Sequence, residues 1–582
     1  MILRSLKDYY DRLVAAGDED IPKFGFARQK VHFCLVLNPR GELVAVQDLR
    51  SVVGNRIVPL ELIVPEPVKR TVGIAANFLW DNTGYVLGAD NKGRPDRALQ
   101  AFEVFRRYQH LVGDGLEDDG MKAVLEFLDS WKPAGAPDLP YWDEMQGLNL
   151  VFRLDSEPRY VHERRRMIEA WSKDYEQSES GIKGMCLVTG SEAPVARLHP
   201  ALKGIPGAQP SGASLVSFNL DAFTSYGKDQ NYNAPIAERA AFAYCTALNW
   251  LLRHDSRQKV RIADSTVVFW AERKTMAETL LADLLNSGPG SSHEEMEDQT
   301  PVRDLGLIFR AARDGRIQDA VDEPDVAFYV LGLSPNASRL SVRFWHVSTA
   351  GDVVANIARH FRDMEIVRSF ERDPDYPAVW RVLEEIAVQG KIENISPLLA
   401  GAFTRSVLAG APYPQNLFTS ILMRIRADCT INTLRAGLIK ACLLRNYDHK
   451  EISVSLDSSN TNVGYRLGRL FAVLERVQTA ANPNINATIR DKYFGSAAAT
   501  PRNIFPMLLN LGQQHLGKLR RDTDKKGFAI SLDTRIEDIL SSLDASPLPA
   551  YLSPENQGMF ALGYYHQRQH LFSGKQKKTQ EE

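Results

Sequence analysis

The chain has 582 residues, of which 44% are hydrophobic, and its formal net charge is −2. This length predicts two to four domains with sizeable cores, and the composition excludes an intrinsically disordered or collagen-like chain. The five cysteines include no Cys-x-x-Cys pair, which argues against a disulfide framework or a structural zinc site and favours a reducing cytoplasm. No apolar run approaches the ~20 residues that span a bilayer, so we expect no membrane partner.

The first part of the chain alternates between helical and strand patterns. Apolar residues recur at helical spacing in residues 1–20 and 97–130, and a basic helix is expected over 161–175. Apolar runs bounded by turn residues predict strands at residues 31–37, 43–46, 57–64 and 148–154. The first two strands flank a turn at residues 38–41, which predicts a hairpin.

Residues 66–95, the motif loop, read as an irregular polar segment between a strand and a helix. The segment mixes basic and amide side chains, at Lys69, Arg70, Asn77, Asn82 and Lys92. Lys and Arg can contact phosphate or guanine, and Asn can pair with adenine or probe a groove edge. Three aromatic residues lie between them, so an ordinary loop whose aromatic side chains anchor it in the core is the open alternative.

Residues 186–249 are rich in glycine, serine and asparagine. Glycines let a backbone approach a ligand closely, and hydroxyls and amides bind phosphates and sugars. We take Lys203, Gln209, Ser211 and Asn231 as candidate contacts. The spacing of Gly204, Gly207 and Gly212 fits no nucleotide-binding loop, and a surface loop with turn glycines is the alternative.

After two strands at residues 328–333 and 340–345, around a turn at 334–338, helical spacing dominates from about residue 355. Residues 401–582 carry 23 Lys and Arg against 15 Asp and Glu, a net charge of +8, so the end of the chain can present a basic face. Arg469 and Arg476 are seven residues apart and share a helix face. Such a face could follow the phosphates of a single strand, although a solvated face is equally expected. The candidates are Arg466, Arg469, Arg476, Lys518, Arg520 and Arg521.

These patterns predict an α+β N-terminal body with mixed or antiparallel sheets, followed by an all-α C-terminal helical bundle. We divide the chain into an N-terminal α+β segment (1–145), a second α+β part (146–355) and the helical bundle (356–582).

Catalytic motifs are scarce. The sequence contains no phosphate-binding Gly-x-x-x-x-Gly-Lys-[Ser/Thr] loop and no Gly-x-Ser-x-Gly elbow. His254-Asp255 resembles the dyad of metal-dependent HD nucleases, but that chemistry needs further histidines and a second aspartate. We therefore expect a protein that is not an enzyme and has no cofactor. A nuclease built on His254 and Asp255, and a scaffold that binds proteins alone, are the alternatives.

A set of stretches, in order and at the expected length, resembles the large subunit of type I-C CRISPR effector complexes (Cascade), the Csd-type family. They include Asn-Phe-Leu-Trp-Asp-Asn at 77–82 and Tyr-Arg-Leu-Gly-Arg-Leu-Phe at 465–471. The others are residues 85–88, 186–190, 199–204, 217–219, 225–227, 233–235, 247–249 and 328–334.

The resemblance implies a non-catalytic subunit at the foot of a crRNA-guided complex. Its α+β body would contact the subunit that holds the crRNA 5′ handle and read the protospacer-adjacent motif on duplex DNA. Its helical bundle would stand beside the small subunit and guide the displaced strand, while a separate helicase-nuclease is recruited. Residues 463–582 resemble that small subunit, and an internal start near Val463 would give a product of about 120 residues.

On this reading we assign motif reading or adjacent phosphate contact to Lys69, Arg70, Asn77, Asn82 and Lys92, with Asp81 fixing the loop. The handle or its subunit would contact Lys203, Gln209, Ser211 and Asn231. The displaced strand would follow the six basic residues of the bundle named above.

Overall fold

The structure is a computed structural model that describes residues 1–18, 20–54, 56–68, 70, 73–177, 181–262, 265–286, 316, 321–391, 394–447, 449–543 and 547–579. The chain forms two compact units. Unit 1 comprises Met1–Leu202 and Val216–Trp250, and unit 2 comprises Lys203–Leu215 and Leu251–Glu582. The predicted domain boundaries after residues 145 and 355 stay predictions.

Unit 1 combines short strands with helices. Its strands are β1 (Phe26–Val31), β2 (Phe33–Leu37), β3 (Leu43–Asp48), β4 (Ser51–Val53), β5 (Arg56–Val58), β6 (Leu60–Pro65), β7 (Trp80–Asn82), β8 (Asn149–Leu154), β9 (Lys183–Met185) and β10 (Glu192–Pro194). Its helices are α1 (Ile2–Ala15), α2 (Thr83–Val86), α3 (Pro95–Gly113), α4 (Asp119–Ser130), α5 (Trp142–Met145), α6 (Arg165–Gln177) and α7 (Glu238–Leu251).

A mixed four-stranded sheet forms the centre of unit 1, with strand order β3-β2-β8-β7. Strand β2 is parallel to β8 and antiparallel to β3, which confirms the predicted hairpin. All five residues of β2 are buried, because its side chains enter two apolar layers. Phe33 and Leu35 pack with residues of α3, α4 and α6, whereas Cys34 and Val36 pack on the other face. The alternation follows from the two-residue period of a strand.

Unit 2 begins with strands and continues with helices. Its strands are β11 (Lys259–Ile262), β12 (Ser265–Ala271), β13 (Ala327–Asn336) and β14 (Arg339–Thr349). Its helices are α8 (Met276–Asn286), α9 (Ala350–Met364), α10 (Val379–Glu384), α11 (Pro397–Ala409), α12 (Gln415–Asp428), α13 (Thr433–Asn446), α14 (Val463–Ala481), α15 (Ile489–Ala499), α16 (Pro501–Arg521), α17 (Lys526–Ser542) and α18 (Pro554–Thr579).

The four strands described in unit 2 form one antiparallel sheet in the order β11-β12-β13-β14. The hairpin of β13 and β14 is longer than the sequence predicts, because pairing continues to Asn336 and Arg339 and leaves only two residues in the turn. Ala337 in that turn has a φ of 52°. Described residues after β14 form helices and loops, and the predicted order of an α+β body followed by a helical bundle is confirmed.

Helices α14 and α18 approach until their backbones touch. A Cβ atom on Gly468 would lie 2.0 Å from the carbonyl oxygen of Phe560, and one on Gly563 would lie 2.0 Å from that of Tyr465. A Cβ atom on Gly464, one turn before Gly468, would lie 2.3 Å from the carbonyl oxygen of Asn556. Glycines four residues apart therefore line the crossing, as they do where helices pack most closely.

All five cysteines are free thiols. Among the described residues, no helix is long and apolar enough to cross a membrane.

The helix crossing yields a stability prediction. Replacing Gly468 by alanine places a methyl group against rigid backbone, so we expect the free energy of unfolding to fall by about 3 kcal/mol. Gly517→Ala is the matched control, because it also lies within a helix but has no atom within 4 Å of its would-be Cβ. That variant should be neutral or more stable by up to about 1 kcal/mol. Urea unfolding of both variants tests this, and equal stabilities would contradict it.

Candidate nucleic-acid interface

The start of the motif loop is anchored in the core of unit 1. Phe78 and Trp80 are 0% and 3% exposed, and the Trp80 indole donates to the carbonyl oxygen of Pro65 at 2.8 Å. Leu79 has a φ of 58°, a strained value for leucine, and its backbone N–H donates to Oε1 of Gln109 at 2.9 Å. The aromatic side chains therefore hold the loop in place and do not face solvent.

Asp81 organises this part of the loop. Its carboxylate is 1% exposed and accepts hydrogen bonds from the backbone N–H groups of Asn77, at 3.1 Å, and Asn82, at 2.9 Å. Arg70 donates to both of its oxygens, through Nη1 at 3.0 Å and through Nη2. Burial raises the pKa of the Asp81 carboxyl, and Arg70 and the two backbone amides oppose this shift.

Arg70 has its donors engaged within the chain. Besides the two bonds to Asp81, its Nε donates to the carbonyl oxygen of Ala75 at 2.6 Å. The guanidinium also lies over the ring of Tyr85, 3.9 Å from the ring centroid. This geometry gives Arg70 a structural role and argues against the predicted phosphate contact.

The two asparagines also have hydrogen-bond partners within the chain. Asn77 is 3% exposed, its Oδ1 accepts from the N–H of Val68 at 3.0 Å, and its carbonyl accepts from Nε2 of Gln109 at 2.9 Å. Asn82 caps helix α2 by accepting from the N–H of Gly84 at 3.0 Å. Burial of Asn77 and the capping role of Asn82 argue against direct base reading in this conformation. Lys69 lies outside the described residues.

Exposed cations lie farther along, at the end of the motif loop and in the first turn of α3, beside an open cleft. The side chain of Lys92 is exposed, and so are those of Arg94 and Arg97. None of the three forms an ion pair within the described part of the chain. The cleft has a volume of about 550 Å³. It is lined by Gly73, Ile74, Gly93, Arg94, Pro95, Asp96, Arg97 and Gln100. We call this the α3 cleft.

The backbone of the α3 cleft, as well as its positive charge, suits the cleft to a polyanionic ligand. Gly73 and Gly93 have φ values of +92° and +65°, and a Cβ on either would meet nothing within 4 Å. Helix α3 starts at Pro95 without a side-chain cap, and Asp96 is the acidic residue in its first turn, so the positive charge near this end comes from Arg94 and Arg97. The sequence reasoning missed Arg94 and Arg97, although their spacing of three places them close together, Arg94 as the N-cap of α3 and Arg97 in its first turn.

The predicted handle contacts divide between the two units. Lys203, Gln209 and Ser211 are exposed in the segment of unit 2 that precedes Val216. Gly204 has a φ of +82°, and a Cβ there would lie 2.5 Å from the carbonyl oxygen of Leu252, so it is a close-approach glycine. Asn231 belongs to unit 1 and is 1% exposed, which argues against a contact with a partner.

Three of the predicted strand-path residues are engaged inside the bundle. Arg466 donates to the carbonyl oxygens of Asn460, at 2.8 Å, and Ser542. Arg469 is 9% exposed and donates to Oε1 of Gln567 at 3.2 Å, and burial lowers the pKa of its guanidinium. The engagement of Arg466 and the burial of Arg469 argue against contacts with a passing strand.

Arg476 is held differently. Its guanidinium lies between the rings of Phe528 and Phe572, 5.3 and 5.1 Å from their centroids, and burial lowers its pKa. Arg469 and Arg476 do share a face of α14, as their spacing predicted, but on that face Arg469 is buried and Arg476 is half-buried.

The other three strand-path residues are exposed at the end of α16. Lys518 donates to Oδ1 of Asn482 at 2.7 Å, Arg520 pairs with Asp533, and Arg521 has no ion pair among described residues. Lys525 and Lys526 lie four and five residues beyond Arg521 and are also exposed, and Lys525 pairs with Asp522 at 3.1 Å. We call the five residues Lys518, Arg520, Arg521, Lys525 and Lys526 the basic corner.

The alternative nuclease dyad lies on an exposed turn after α7. Asp255 is 3.5 Å from the guanidinium of Arg253, and His254 is exposed beside it. Within the described ranges, no three or more His, Cys, Asp or Glu residues are grouped so that they could hold a metal ion.

The comparison with protein families gives one match across almost the whole chain. Residues 6–572 match the family described as CRISPR-associated protein (Cas_Csd1). No curated protein matches the sequence significantly. The resemblance to the Csd-type family is confirmed, and the chain belongs to the Cas_Csd1 family of CRISPR-associated proteins.

Proposed function

We propose that this chain is the non-catalytic large subunit of a crRNA-guided type I-C surveillance complex. It recognises the protospacer-adjacent motif on duplex DNA, anchors the end of the complex that holds the crRNA 5′ handle, and stabilises the displaced strand. Its partners are the crRNA, the handle-binding and backbone subunits, the small subunit and a helicase-nuclease recruited in trans.

The observation that carries the DNA-binding part of this proposal is the α3 cleft. Arg94 and Arg97 line the cleft and Lys92 lies next to Gly93 in sequence; all three are exposed and make no ion pair among the described residues. Gly73 and Gly93, which have open space around them, border the same cleft. Phosphate contacts supply most of the affinity of a protein for duplex DNA and fix its register. The cleft offers charge and close backbone approach in one place.

In such complexes, pairing with the guide reads most of the target, and the protein reads only a short flanking motif. A short motif can be probed from the minor groove, whose pattern is degenerate. In this chain the Arg70–Asp81 pair holds the first half of the motif loop, while the exposed second half at Lys92 and Arg94 contacts DNA. The buried first half of the motif loop therefore fixes the position of the exposed second half, which binds DNA.

The basic corner provides the path for the displaced strand. Its five cations are exposed at the junction of α16 and α17, and a positively charged surface can follow a backbone without reading its sequence. It lies within residues 463–582, the segment that resembles the small subunit. Helix α14 starts at Val463 and is capped by Asn462, so an internal start there would begin at a helix boundary.

Removing two cleft arginines tests the DNA-binding proposal. The assembled complex with Arg94→Ala and Arg97→Ala should bind target DNA more weakly, and the slope of log affinity against log salt should fall by about two. An Arg165→Ala complex is the control, because Arg165 is an exposed arginine on another helix of unit 1. A slope like that of the wild type would contradict phosphate contact at the cleft.

The Arg70–Asp81 pair can be separated from direct DNA contact by a double variant. Arg70→Ala strands a buried carboxylate, so we expect the free energy of unfolding to fall by about 3 kcal/mol and discrimination between flanking motifs to weaken. Adding Asp81→Asn removes the stranded charge and should recover part of the stability. Were Arg70 a direct phosphate contact, the single variant would lose DNA affinity at unchanged stability.

A further inference from the structure

The turn at residues 225–228 has an unusual backbone for its sequence. Ser225 and Lys228 form an antiparallel bridge, and the N–H of Lys228 donates to the carbonyl oxygen of Ser225 at 3.0 Å. Tyr226 and Gly227 between them have φ values of 51° and 68°. Two positive φ values define a type I′ turn, which normally takes Asn, Asp or Gly at both positions. Tyrosine at the first position is therefore strained.

The side chain of Asn233 holds this strained turn through three hydrogen bonds. The side chain of Asn233 accepts from the N–H of Ser225 at 3.1 Å, and its Nδ2 donates to the carbonyl oxygens of Lys228, at 2.6 Å, and Gln230, at 2.9 Å. Gln230 also has a positive φ, 48°, and its Oε1 accepts from Arg197 at 2.7 Å. Residues 225–233 are consequently fixed in one conformation although they lie on the surface.

The strain is not offset by burial of the tyrosine ring. Tyr226 is 99% exposed, so its side chain gains nothing from packing in the free protein. The backbone of Tyr226 is fixed while its aromatic ring is exposed, so the ring is available for contact with a partner. Strained residues that the surroundings over-determine occur preferentially at binding sites.

The neighbours of Tyr226 favour a nucleobase over an apolar protein surface. Thr224, Ser225, Gly227 and Lys228 are all exposed, and none has an aliphatic side chain that could extend a hydrophobic patch. The ammonium group of Lys228 makes no ion pair within the described residues and is available to a phosphate. A ring for stacking beside hydroxyls and a lysine is the combination that binds unpaired nucleotides.

We propose that Tyr226 stacks on an unpaired base of a nucleic acid in the assembled complex, with Lys228 contacting the adjoining phosphate. This inference rests on the proposed function, because that function supplies the nucleic acid. The base can come from single-stranded crRNA or from unpaired target DNA, and the experiment separates these sources.

The first test measures binding by complexes that carry Tyr226 variants. Tyr226→Phe keeps the ring and should bind within about twofold of the wild type. Tyr226→Leu and Tyr226→Ala should lose about 5- to 150-fold in affinity for crRNA or for target DNA, the range equivalent to one stacked base. Tyr551→Ala is the matched control, because Tyr551 is 79% exposed and should tolerate the change. Equal losses for the Phe and Ala variants, or no loss in either, would overturn stacking.

The second test identifies the partner. A photoreactive phenylalanine analogue at position 226 in the whole complex should crosslink to crRNA or to one target strand, which names the source of the base. Crosslinks to protein alone would overturn the proposal. If the cleft variants lose DNA binding while Tyr226→Ala lowers affinity for neither crRNA nor target DNA, this inference fails and the proposed function stands. If neither set affects binding to any nucleic acid, the proposed function fails as well.

Discussion

The buried carboxylate of Asp81 is the interaction on which the arrangement of the motif loop depends. An ionised carboxylate at 1% exposure is tolerated only when its oxygens are fully paired. Here the partners are the guanidinium of Arg70 and two backbone N–H groups. Each bond fixes a different part of the chain: Arg70 before the loop turns inward, Asn77 at the turn, and Asn82 at the start of α2. The first half of the loop therefore folds around one buried charge. This arrangement fixes the position at which the exposed half begins.

The first half of the motif loop has a structural role, and its second half, together with the start of α3, carries the exposed cations. In the first half, the side chains of Arg70, Asn77 and Asp81 have hydrogen-bond partners within the chain. Lys92, Arg94 and Arg97, by contrast, are exposed and without ion pairs in the described residues. Helix α3 links these roles, because Gln109 near its end holds Asn77 and Leu79 while its first turn lines the cleft. A buried amide and an exposed cation on one rigid helix are therefore positioned together.

The spacing of apolar residues predicted the helices and strands well, because the buried face of each element sets the period of its apolar residues. The hairpin of β2 and β3 and the helical C-terminal half were both predicted in this way. The polar residues were harder to place. Whether Asn77 or Arg469 faces solvent depends on partners distant in sequence, Gln109 at 32 residues and Gln567 at 98. No local pattern reveals such a partner. The α3 cations could have been found from their spacing, whereas the positive φ of Tyr226 could not, since tyrosine predicts the opposite.

The contact between α14 and α18 has a mechanical consequence. In most helix pairs a layer of side chains separates the backbones, and rotamer changes in that layer let the helices shift slightly. At Gly464, Gly468 and Gly563 that layer is missing, and main chain rests on main chain. The two helices should therefore move as one rigid body. A displacement at one end of α14 then also displaces α18, because no layer of side chains can rearrange between them.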